Sequence, residues 1–138
     1  MDYRVIGTIL AAGLAGWIFG AVWYGVLARP WQIALGLNPD ECKDKKMPLV
    51  PMVTSFIVAI VMSAVLYPVL LSAGARTVPA AAFTSLILGI GFLFCSQMVG
   101  NMFQQRSFTL TVIDGLHWTF SLVVEAVVLT LVYGAWVN

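Results

Sequence analysis

Charge is what this sequence has least of. Only 9% of its 138 residues are Asp, Glu, Lys or Arg, against roughly 25% in an average soluble domain, so the polar surface of a water-soluble globule cannot be built from it. The net charge is +1. Without a basic cluster the chain cannot neutralise several phosphates, which excludes nucleic acid as a partner. Cysteine is nearly absent, and Cys42 and Cys95 are too few and too differently placed for a disulfide framework. Cys95, inside an apolar run, is expected to be a small buried hydrophobe, and Cys42, in a loop, to stay reduced. A single histidine, His117, with Asp114 three residues before it, lacks the third ligand of a usual zinc site unless an oligomer repeats it. Neither a metal nor any other cofactor is expected.

What is abundant is apolar: 61% of the residues are hydrophobic. They fall into four runs, about 5–28, 49–73, 78–103 and 108–136, each long enough to cross a hydrocarbon core, which takes about 20 residues. The first run exceeds the 7–15 or so residues of a signal-peptide core, and Asp2 weakens the basic segment that would precede one. It is expected to be retained. The fold expected is all-α: one domain over residues 1–138, a four-helix transmembrane bundle lying in a lipid bilayer. The short breaks Gly74-Ala75-Arg76-Thr77 and Gln104-Gln105-Arg106-Ser107 make neighbouring helices antiparallel. Arg29, Lys43, Lys45, Lys46 and Arg106 lie on one side, against Arg4 and Arg76 on the other. That bias places the 29–48 loop in the cytoplasm and both termini outside. Within this loop Trp31, Ala34 and Leu35 repeat at helical spacing after Pro30, predicting a short interfacial helix. Asn38-Pro39-Asp40-Glu41 then opens a second, charged piece running through Lys46.

Small residues recur at helical spacing. Ala12, Gly16 and Gly20 in the first span, and Ser85, Gly89, Ser96 and Gly100 in the third, are helix-packing positions that let another backbone approach closely. Four helices hide only part of these faces from lipid, so a homo-oligomer is expected. Trp23, Tyr24 and Trp31 form an expected aromatic belt where the first span meets the interface. Pro68 should kink or loosen the end of the second span.

Polar residues inside the apolar runs are few and ordered. Gln97 and Asn101 share a face of the third span. Asp114, His117, Ser121 and Glu125, at steps of three, four and four, share a stripe of the fourth. Counted from the turn between the spans, Gln97 and Asp114 each lie roughly 13 Å in and can face each other. His117 then falls near mid-bilayer and Glu125 closer to the exterior end. An ionised carboxylate at the bilayer centre costs at least about 2.5–3.5 kcal/mol. The offset is either interhelical hydrogen bonding, Asp114 with Gln97 or His117 and Glu125 with a neighbour's Ser or Thr, or a proton or ion pathway; a metal or catalytic site ranks third. Ser121 and Asp114 flank His117 on one helix face and cannot form a nucleophile-base relay, so an enzyme is not favoured. The expectation is a homo-oligomeric small-solute or ion transporter or channel with a polar pathway of Asp114, His117, Ser121, Glu125, Gln97 and Asn101. The alternative is an accessory or structural subunit of a membrane complex, with another membrane protein as partner.

Gly20-Ala21-Val22-Trp23-Tyr24-Gly25, then Trp31 and Gly36-Leu37, a glycine-rich third helix, Gly115, and a last helix ending Tyr133-Gly134-Ala135-Trp136 together resemble the DUF1761 family of small bacterial four-span membrane proteins. The resemblance covers nearly the whole chain. It implies the four-span fold and the bacterial inner membrane, and it transfers no catalytic residue.

The topology predicts that a membrane-impermeant thiol reagent modifies Cys42 only from the cytoplasmic side in inside-out vesicles. Labelling from the exterior alone would invert the orientation.

Overall fold

The structure, a computed structural model, describes residues 2–43, 45 and 48–137, and these form helices without strands. Four helical spans are long and apolar enough to cross a membrane. The first is α1 (Tyr3–Val26), opened by the Asp2 side chain accepting from the Arg4 N–H. A break at Leu27 redirects the chain into a short helix, α2 (Ala28–Ala34), as the Trp31 spacing predicts. Asn38 caps α3 (Pro39–Cys42) by accepting from the Asp40 N–H. The expected continuation through Lys46 includes Asp44 and Lys46, which lie outside the described residues.

The second span is α4 (Leu49–Ser72), which stays one helix through Pro68. It ends where Gly74 takes φ +67° and the Ala75 N–H bonds back to the Leu70 carbonyl, a left-handed cap that glycine adopts without strain. Thr77 caps the third span. That span runs as α5 (Val78–Leu88), a π-helical segment (Gly89–Phe94) and α6 (Cys95–Phe103). The fourth span, α7 (Phe108–Val137), is the spine. Its apolar window is 44% buried, against 33% for α1 and 17% for each of the other two, so α7 is the helix the others pack around.

α1 and α4 pack on each other and on one side of α7, while α5, the π segment and α6 cover the other side. The second and third spans, although joined by a tight turn, leave an apolar groove between Val65, Val69, Phe92 and Leu93. Leu66, Leu70, Ala81, Leu122, Ala126 and Leu129 make the core. Large apolar side chains such as Leu14, Ile18, Val61, Val65, Phe83 and Phe92 point outward, the inverse of a soluble domain and the surface that lipid requires. Cys95 is also on this outer surface; it faces outward rather than being buried as expected.

The small residues are used within the chain. A Cβ added at Gly13 would stand 2.9 Å from the Ile60 Cα, and one at Gly89 2.9 Å from the Thr119 Cα. Ala12 and Ser85 are fully buried. Gly100 meets nothing within 4 Å, and Ser96 is exposed. The faces that motivated an oligomer are therefore mostly occupied inside one protomer.

Gly13→Ala is expected to lower stability by about 1–3 kcal/mol, because backbone, not a movable side chain, occupies the space. Gly25→Ala, which meets open space, should stay within about 0.5 kcal/mol of wild type. Thermal unfolding in mild detergent separates the two.

Candidate functional site: the seam between α1 and α7

The break at Leu27 lays α2 over the beginning of α7, where the Ser107 hydroxyl donates to the Ala34 carbonyl at 3.1 Å. This brings two donors onto one carboxylate oxygen. The Tyr24 hydroxyl donates to Asp114 Oδ1 at 2.7 Å, and the Trp31 indole N–H donates to the same oxygen at 3.1 Å. Trp23 donates to the Ile113 carbonyl at 3.1 Å. The three aromatic residues expected as an interfacial belt aim their polar groups at α7.

One turn further, His117 is only 7% exposed. Its ring centre lies 4.7 Å from that of Tyr24 and 4.9 Å from that of Trp118, and it stacks on Phe19 at 6.4 Å. Nε2 is 3.4 Å from the Ser121 hydroxyl, at the long limit for a hydrogen bond. Nδ1 is buried with no partner among the described residues. Two turns beyond, Glu125 is 1% exposed and accepts one hydrogen bond, from Ser63 of α4 at 3.0 Å. Glycines make room for both: a Cβ at Gly20 would lie 2.8 Å from His117 Nε2, and one at Gly16 2.5 Å from Glu125 Oε1. No ion pair to Asp114 or Glu125 occurs among the described residues.

Gly16 and Ser63 lie near the middles of α1 and α4, so Glu125 is level with the middles of those two helices.

Gln97 and Asn101 are on a different side. Asn101 is buried and donates to the Thr111 hydroxyl at 3.1 Å, between α6 and α7. Gln97 is half-buried, and the donors to Asp114 are Tyr24 and Trp31 in its place. α7 therefore has two polar sides: Asp114, His117, Ser121 and Glu125 toward α1 and α4, and Thr111 and Thr119 toward the third span, with Thr119 bonded to its own helix at the Gly115 carbonyl. Ser63 was not singled out from the sequence. Its signal was there, the one hydroxyl in the apolar stretch from Phe56 to Leu66. No group of three His, Cys, Asp or Glu converges among the described residues.

Fold and seam define a class: a small four-span helical membrane protein whose last helix carries a line of ionisable groups between helices. The chain belongs to DUF1761, the family whose model is described as "Protein of unknown function" and matches residues 8–130. The match includes every residue of the seam. No curated protein and no solved structure matches the chain.

Tyr24→Phe is expected to cost about 1–3 kcal/mol by taking one of the two donors from Asp114, whereas Asp114→Asn keeps an oxygen that both can reach. Thermal unfolding of the two variants checks this; equal losses would mean that the charge, not the bonding, is what matters.

Proposed function

We propose that the protein is a proton-coupled transporter of a small solute or ion. Glu125 takes up and releases a proton at the bundle centre, and Ser121 and His117 connect it to Asp114 at the end where α2 lies. One observation carries this reading: Glu125 is 1% exposed and has a single hydroxyl partner, Ser63. Purely structural glue is better made from uncharged amides and hydroxyls, because a buried carboxyl without a cation stays costly to ionise. Ionisable groups kept inside membrane spans mark proton relays and ion paths in proteins generally. The spacing supports a relay, since Asp114, His117, Ser121 and Glu125 climb α7 in successive turns, with His117 and Ser121 in contact at 3.4 Å. In the same reading the protein sits in the bacterial inner membrane with the 29–48 loop cytoplasmic. It works as a homo-oligomer through the outward Ser96 and Gly100.

A second reading, a structural or accessory subunit, is favoured by how tightly Gly16 and Gly20 press on the seam. In it the same groups are permanently paired and dry. The two part in liposomes carrying an internal pH dye. Under a pH gradient the wild type should move protons well above empty vesicles, and Glu125→Gln should remove this flux while still folding. Wild-type flux no greater than in empty vesicles, together with a more heat-stable Glu125→Gln, would select the subunit.

A further inference from the structure

α7 meets α4 a second time beyond Glu125. Ser63 donates to Glu125. Further along both helices Tyr67 and Tyr133 pack edge to face with ring centres 5.6 Å apart, and their hydroxyls are close enough to interact. Beside this pair lies a cavity of about 410 Å³, at the end of the bundle opposite α2. Leu70, Ala75 and Leu129 bring the core into its wall, and Leu129 follows Glu125 by one turn on the same face of α7. The turn after α4 supplies the charge. Gly74 at φ +67° reverses the chain, the Arg76 N–H bonds to the Gly74 carbonyl at 2.9 Å, and Arg76 lines the cavity. Arg76 is exposed and forms no ion pair among the described residues. None of the lining residues is acidic. Asp2 acts electrostatically on Tyr67, but its carboxylate caps α1 by accepting from the Arg4 N–H.

A cavity of roughly 300–1,000 Å³ with an apolar wall and a few polar groups is the usual form of a small-ligand site. A guanidinium takes the oxygens of a carboxylate or phosphate two at a time, a phenol adds an O–H, and leucine side chains cover an apolar body. We propose that this cavity binds a carboxylate or phosphate carried on an apolar body, with Arg76 holding the charge, Tyr67 and Tyr133 donating to it, and Leu70 and Leu129 covering the rest. The proposal rests on the transport reading only in making this anion the cargo, one proton on Glu125 accompanying one negative charge; binding itself requires no flux.

The full chain in a mild non-ionic detergent is titrated calorimetrically with phenylacetate, and with phenylacetamide as the neutral control. The acid is expected to bind saturably and about tenfold or more tighter than the amide. Arg76→Gln should abolish that preference, whereas Lys43→Gln, which removes an exposed cation elsewhere, should leave it unchanged. Gly134 lines the cavity and an added Cβ there meets nothing within 4 Å, so Gly134→Leu should block binding while the bundle still folds. Equal binding of acid and amide would overturn the site, as would a preference that Arg76→Gln and Lys43→Gln reduce alike or that survives in Gly134→Leu. Competition identifies the source of the anion: displacement of phenylacetate by phosphatidylglycerol but not by phosphatidylcholine assigns a lipid phosphate, and displacement by neither assigns a soluble acid. Equal displacement by both lipids would overturn the role of charge and with it the site. Binding without proton flux keeps the site and removes transport; flux without binding does the reverse.

Discussion

Two glycines of α1 lie against two ionisable side chains of α7, and the rest of the bundle is arranged around that contact. Where lipid surrounds the helices, no hydrophobic force draws them together, and association depends on close van der Waals packing and interhelical hydrogen bonds. The missing side chain at Gly16 leaves space that Glu125 fills, and the one at Gly20 leaves space that His117 fills. Only at that separation does α1 also hold α4, through Gly13 against Ile60 and the Trp17 indole donating to Ser55 at 3.0 Å. Ser63 of α4 is thereby in reach of Glu125.

The other side of α7 uses the same device with the opposite chemistry. Gly89 receives Thr119, and Gly115 receives the ring of Phe94, so around these two glycines the third span approaches through apolar atoms, with the Asn101–Thr111 hydrogen bond as its polar contact. α7 is in consequence a partition: ionisable groups toward α1 and α4, packing groups toward the third span. The groove left between α4 and the third span is lined by apolar side chains alone. At the Asp114 end of the seam the interhelical partners are the phenol of Tyr24 and the indole of Trp31.

Much of this was legible in the sequence because spans and stripes are periodic. Run lengths alone located the four helices, and steps of three and four put Asp114, His117, Ser121 and Glu125 on one face. What periodicity lacks is azimuth between helices. The GxxxG of Gly16 and Gly20 announces close packing but not the partner, so a contact inside the chain looked like a contact between chains. Gln97 looked like the partner of Asp114 because a count outward from the turn gives depth along each helix but not the direction a side chain faces. The bonds of Tyr24 and Trp31 to Asp114 were not legible, because nothing local says that the break at Leu27 folds α2 onto α7. Ser63 was hidden for the simplest reason: one hydroxyl in an apolar helix is common, and only the third dimension sets it opposite a carboxylate.

The most direct measurement is a double-mutant cycle between Gly16→Ala and Glu125→Ala, read as unfolding free energy in detergent. If α1 sits where it does because Gly16 yields space to Glu125, Gly16→Ala alone should destabilise the bundle markedly. The same substitution should cost little once Glu125 is already alanine, giving a coupling of about 1–3 kcal/mol. Strict additivity of the two substitutions would contradict this contact as the organising one.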